Sequence, residues 1–141
     1  MREYSFLNVV LHINGVPITG FDEGDDVISL ERTVDSASDK VGADGEMSVS
    51  ISADRSGMVT FRLMQTSSSN SFLSELVSTQ ETGKLIPVSV LFKDVCGGDL
   101  GAGSKGYIPR PADIVRGQSV NSQEWKIKVE RLNLLHEAAA V

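Results

Sequence analysis

The chain has 141 residues, 40% of them hydrophobic and 23% charged. That suits one globular domain, 1–141, able to bury a core without a metal or disulfide staple. A formal net charge of −6 disfavours free binding to nucleic-acid phosphates, which needs a basic surface. The single cysteine, Cys96, allows no intrachain disulfide, and the absence of an apolar leader or long apolar run leads us to expect a soluble protein made in a cytoplasm, with no membrane partner.

In chain order, residues 4–13 are rich in β-formers and predict a first strand. Residues 14–26, with Gly15, Pro17, Gly20 and Gly24, read as a loop. Val27, Ser29 and Glu31 alternate with Ile28, Leu30 and Arg32, a strand pattern over 27–34. Residues 35–46, with Gly42 and Asp44-Gly45, read as a second loop. Met47, Val49, Ile51 and Ala53 then alternate with serines, and Val59, Phe61 and Leu63 alternate beyond the polar turn Asp54-Arg55-Ser56-Gly57. Two such runs predict a β-hairpin with Val49, Ile51, Phe61 and Leu63 facing inward.

One helix is expected over about 71–81. Ser69, Asn70 and Ser71 are N-cap candidates, Phe72, Leu73, Leu76 and Val77 recur at helical spacing, and Gly83 suits the stop. Val88, Val90 and Phe92 predict another strand. Residues 97–106 contain five glycines and read as a third loop. Strand signals at 107–109 and 113–116 are weak because Pro109 and Pro111 cannot donate to a ladder. Trp125, Ile127 and Val129 alternate with Lys126, Lys128 and Glu130 in a closing strand. The expected fold is mainly antiparallel β, a sandwich or barrel with one flanking helix. An open sheet of that kind exposes edges that invite another chain, and loops this long are often functional or ordered by a partner.

Charge is unevenly distributed. Residues 22–54 hold ten acids against Arg32 and Lys40, whereas 105–131 hold six bases against three acids. Either these are two solvated surfaces, or they are complementary faces of identical subunits. The candidate interface residues are Asp22, Glu23, Asp25, Asp26, Asp39, Lys40, Asp44, Glu46, Lys105 and Arg110. Segments 35–50 and 97–106 are the expected contact loops.

Catalytic, cofactor and metal signals are weak. Gly101-Ala-Gly103-Ser-Lys-Gly106 fits a dinucleotide fingerprint, but Tyr107-Ile108-Pro109-Arg110-Pro111 follows where a helix is needed to receive the pyrophosphate. His12 and His136 stand alone, and one cysteine builds no zinc site. Asp22, Asp25 and Asp26 lack calcium-loop spacing. No Gly-x-Ser-x-Gly marks a nucleophile, and Cys96 reads as a buried strand-end residue. The chain is expected to be no enzyme and to carry no cofactor.

The run from Ser56 to Leu76, Ser-Gly-Met-Val-Thr-Phe-Arg-Leu-Met-Gln-Thr-Ser-Ser-Ser-Asn-Ser-Phe-Leu-Ser-Glu-Leu, resembles a family of contractile-tailed phage virion proteins that form the tail tube. Tyr4–Val9 looks like that family's N-terminal strand, Ala43-Asp44-Gly45 like the loop before its hairpin, and Pro111, Trp125 and Arg131-Leu132 like its closing region. Residues 14–40 and the tail from His136 to Val141 match nothing in it.

The resemblance implies a homo-oligomer: rings of six copies stacked into a tube inside a contractile sheath and ending on baseplate and terminator proteins. DNA would pass through without specific binding, in a virion assembled in the host cytoplasm. Acids of 22–54 would line the lumen or meet the basic 105–131 surface of the next ring, so reversing Asp25 and Asp26 to Lys should disturb assembly or DNA passage. Alternatives are a tail terminator, a secretion-system tube component, or a small carbohydrate-binding β-sandwich using Trp125, Tyr4 and Tyr107.

Overall fold

The computed structural model describes residues 3–136. Its centre is a pair of long alternating strands, β6 (Gly57–Met64) and β9 (Ser122–Leu135), running antiparallel. Their register sets Val59 opposite Ile127 and Phe61 opposite Trp125, so the apolar residues of both strands share one face. All four are buried, and a fully buried side chain of this size contributes on the order of 1.5–3 kcal/mol. Thr60 opposite Lys126 and Met58 opposite Lys128 occupy the other face.

Five further strands extend this pair: β1 (Val9–Ile13), β2 (Val16–Pro17), β3 (Ile28–Arg32), β7 (Val88–Asp94) and β8 (Leu100–Tyr107). The order is β2-β1-β7-β8-β9-β6-β3, with every neighbouring pair antiparallel. The sheet is rolled. Leu30 on the β3 edge sits over Gly101 of β8, three places away, and Arg32 Nε on β3 donates to the Leu132 carbonyl of β9 at 3.0 Å. Phe6 and Phe21 meet edge to face at 5.5 Å, beside the cleft where Ile28 of β3 approaches Val9 and Phe92 of β1 and β7.

Helix α1 (Ser69–Glu81) lays Leu73 and Val77 into the same core, with Phe72 and Leu76 packed at its margin. Its ends are tied to the sheet by side-chain amides. Asn70 accepts from the Trp125 indole at 2.9 Å and donates to the Met64 carbonyl at 3.0 Å. Gln80 bonds the Ile108 backbone both ways, at 2.8 and 3.1 Å. The mainly antiparallel β architecture with one helix is the expected one.

Several local expectations are corrected. The hairpin predicted between Met47–Ala53 and Val59–Leu63 does not form. β6 pairs with β3 and β9 instead, while β5 (Met47–Ile51) pairs with β4 (Ala37–Val41), inside the stretch expected to be a loop. Phe61 and Leu63 are buried as expected, but Val49 and Ile51 face solvent. The glycine-rich 97–106 segment is mostly strand β8, held between β7 and β9. Its glycines are a packing requirement: a Cβ on Gly103 would lie 2.9 Å from Val129 Cγ1, and one on Gly101 2.5 Å from Leu30 Cδ2.

At the N-terminus, the expected strand over 4–13 starts only at Val9, after a 3-10 turn at Phe6–Asn8. Residues 14–26 are not wholly loop, because Val16 pairs with Ile13 across an Asn14-Gly15 turn with positive φ at both residues. No strand forms at 113–116. The helix starts two residues earlier than expected, with Ser68 at the N-cap position, and the Ser67 hydroxyl accepts from Ser69 N.

Candidate self-assembly surface

β4 and β5 form a two-stranded arm set apart from the main sheet. Its register pairs Ala37 with Ile51, Asp39 with Val49 and Val41 with Met47 on one face, and Ser38 with Ser50 and Lys40 with Ser48 on the other. The arm is therefore amphipathic: one side apolar around a single carboxylate, the other hydroxyl-rich. All ten strand residues are exposed, Val49 at 57% and Ile51 at 71%. An isolated two-stranded ribbon is marginal in water, and the barrel leaves this one's apolar face uncovered.

The arm tip is a tight polar turn. Gly42 N donates to the Glu46 carbonyl at 2.8 Å, Gly45 N to the Gly42 carbonyl at 2.9 Å, and Glu46 N to the Asp44 carboxylate at 3.1 Å. The root is stitched to the barrel. Ser52 N donates to Ser36 O, Thr33 N to Ser56 O and Leu132 N to Arg55 O, at 2.8 to 3.1 Å. Hydrogen bonds from the Ser56 hydroxyl and backbone N–H hold the Asp54 carboxyl below its ordinary value, helped by the Lys128 charge. The arm thus projects from a fixed base.

These features describe an exposed amphipathic ribbon on a barrel, and the comparisons give it a context. Residues 1–135 match the family of the bacteriophage PhiTE tail tube protein. Structural protein ORF10 of Pseudomonas phage KPP10 is 31% identical over 124 residues, covering 84% of this chain and 69% of that protein. The chain belongs to the phage tail-tube family.

Two solved structures give the same fold at low identity. The sheath/tube terminator of an extracellular contractile injection system, PVC, superposes with a TM-score of 0.60 at 10% identity, over 96% of this chain and 98% of that one. The tube-terminating cap of the anti-feeding prophage reaches 0.61 at 7% identity, over 97% and 93%. The tail-tube resemblance carried by Ser56–Leu76 thus fell on β6 and the first turns of α1, the centre of the core.

In this tail-tube chain the candidate interface residues divide into three groups. Asp39, Lys40, Asp44 and Glu46 lie together on the arm and its tip. Asp22, Glu23, Asp25 and Asp26 lie in the crossing that joins β2 to β3, where Asp22 N donates to the Arg62 carbonyl and Asp26 pairs with the Arg62 guanidinium. Reversal of Asp26 would therefore break an intrachain pair as well as change the surface, and Asp25 is the cleaner probe. Lys105 and Arg110 flank the end of β8 and are exposed.

Of the two expected contact segments, 35–50 is the exposed arm. Segment 97–106 is for the most part a strand whose backbone is occupied by β7 and β9, so it is not a loop, and Ser104 and Lys105 are its exposed residues within β8. Sequence reasoning missed three exposed apolar residues, Ile114, Val115 and Val120, on the segment between β8 and β9. The prolines of that stretch drew attention to strand signals and away from exposure.

The residues weighed for other chemistry have structural places. Trp125 is buried and its indole N–H is occupied, so its ring cannot stack on a sugar. Cys96 is half-buried beyond the end of β7 and accepts from the Asn8 amide at 3.0 Å. His136 stands 3.5 Å from Asp99 and His12 lies within β1. Among the described residues no three His, Cys, Asp or Glu side chains gather to hold a metal.

Proposed function

We propose that this chain is the repeating subunit of a contractile-tail tube. Copies close into rings, six-fold as the family resemblance implies. The rings stack within a sheath and guide DNA, and the tube meets baseplate and terminator proteins at its ends. The observation that carries the reading is the projecting arm: an amphipathic β-ribbon, exposed on both faces, on a barrel of the tail-tube family. Ring closure also answers the unpaired outer edges of β2 and β3. The acids at Glu23, Asp25 and Asp26 supply a surface that repels phosphates if it faces the lumen, so DNA slides without adhering. Assembly takes place in the host cytoplasm before the tail is completed.

A second reading is a tail terminator, since terminator structures share this fold. A terminator stops at a single ring, whereas a tube subunit adds rings without limit. Negative-stain electron microscopy of the purified protein over a range of concentrations separates them. Hollow tubes with a regular axial repeat support the tube subunit, and single rings at every concentration support the terminator. A compact monomer throughout counts against both.

A further inference from the structure

The barrel carries a cationic cleft at the arm root. It has a volume of about 610 Å³ and is lined by Ala53, Asp54, Arg55, Ser104, Lys105, Glu130 and Arg131. Three of these are cations, and among the described residues none of the three pairs with a carboxylate. Of the two acids, Asp54 is engaged by Ser56. The cleft does not arise by accident of loop placement, because its cations are set by the backbone. Arg55 and Arg131 form a parallel bridge between the arm root and β9.

Lys105 sits in a β-bulge: Val88 and Val90 of β7 face Gly106 and Gly103 of β8, so two β8 residues oppose one. Lys105 holds φ at +53°, the left-handed region that non-glycine residues rarely occupy. A bulge re-aims the side chain at which it occurs, and strain of this kind persists where the surroundings impose it.

The opposite end of the arm has the complementary charge. Asp44 and Glu46 are exposed at the tip turn, with Asp39 below them. Five residues per strand at about 3.4 Å each separate tip from root by about 17 Å, too far for a rigid ribbon to fold back onto its own root. Within one subunit the two ends cannot meet; between two copies they can.

We propose that the acidic tip of one subunit's arm seats in the cationic root cleft of the next, Asp44 and Glu46 against Arg55, Lys105 and Arg131. A tip-to-root contact is heterologous: each subunit uses a different patch to give and to receive, so the pattern repeats without closing on a pair. That is the geometry by which one ring adds to another, and the inference rests on the tube reading above.

Charge reversal in both partners tests it. Asp44→Lys with Glu46→Lys inverts the tip, and Lys105→Glu with Arg131→Glu inverts the cleft. Circular dichroism and thermal melting verify that each protein is folded. Each double reversal alone should raise the protein concentration needed for tubes tenfold or more, and mixing the two reversed proteins should restore growth between alternating copies. Reversed proteins that assemble like wild type, or a mixture that assembles no better than either alone, overturn the contact.

A second readout does not depend on charge. Glu46→Cys and Lys105→Cys, each made with Cys96→Ser, are mixed and oxidised. The contact predicts a disulfide-linked species containing one of each protein, and its absence overturns the contact. If wild-type protein forms neither rings nor tubes, it is the tube reading that fails. If wild type forms tubes and both readouts are negative, the tube reading stands and this contact alone falls.

Discussion

The indole N–H of Trp125 donates to the Asn70 side-chain oxygen at 2.9 Å, joining the start of β9 to the first turn of α1. Asn70 in turn donates to the Met64 and Ser67 carbonyls at 3.0 and 3.1 Å, so one amide closes the corner where β6 becomes helix. Trp125→Phe keeps the ring in the core but leaves the Asn70 oxygen without its donor. The expected loss is about 1–3 kcal/mol of unfolding free energy in urea titration, and an unchanged midpoint would show that the bond contributes nothing.

The far end of the helix is held by Gln80, which both donates to and accepts from the Ile108 backbone. Gln80→Ala removes both bonds and frees the Ile108 groups at the end of β8. We expect a loss of roughly 1–3 kcal/mol, together with faster amide exchange at Ile108. Unchanged exchange there would refute the tether.

Strand β8 can lie between β7 and β9 only because it is nearly without side chains on its inner face. Gly103→Ala should cost about 1–3 kcal/mol by overpacking against Val129. Gly117→Ala, where the nearest atom to a new Cβ is 3.6 Å away, should stay within about 0.5 kcal/mol. Equal effects at the two positions would contradict the packing account.

The same strand shows where the sequence was legible and where it was not. Val59, Phe61 and Leu63 alternate with polar neighbours, so β6 could be read from period alone, and Leu73 and Val77 gave the helix face in the same way. In β8 the glycines that make room for Leu30 and Val129 also erase the alternation, so a buried strand looked like a loop. The partner of β5 was misassigned for a related reason. Met47, Val49 and Ile51 have the pattern of a half-buried strand, and nothing local says that they pair with β4 on an exposed ribbon. Of the candidate site, the charge imbalance singled out the arm's charged residues, but the cluster of Arg55 and Arg131 with Lys105 depends on a bulge and a bridge between distant segments.

Asp54 gives the arm root a pH dependence. Its folded carboxyl lies below the ordinary value of 3.8, so the folded state favours the ionised form. The stabilisation is therefore present above that pH and is lost as pH falls through the lowered folded value. Asp54→Asn should melt below wild type at pH 6, and the gap should close towards pH 3. A gap that is constant across this range would assign the effect to shape and not to charge.

The central claim is that the exposed ribbon Ala37–Ile51 is what joins one ring to the next. The most direct measurement is negative-stain electron microscopy of wild type beside a variant in which residues 37–51 are replaced by a short Gly-Ser linker. The arm makes no core contact through its ten exposed strand residues, so the variant should keep the barrel's melting transition. The account predicts regular hollow tubes from wild type and nothing longer than a single ring from the variant. Regular tubes from the armless protein would contradict it.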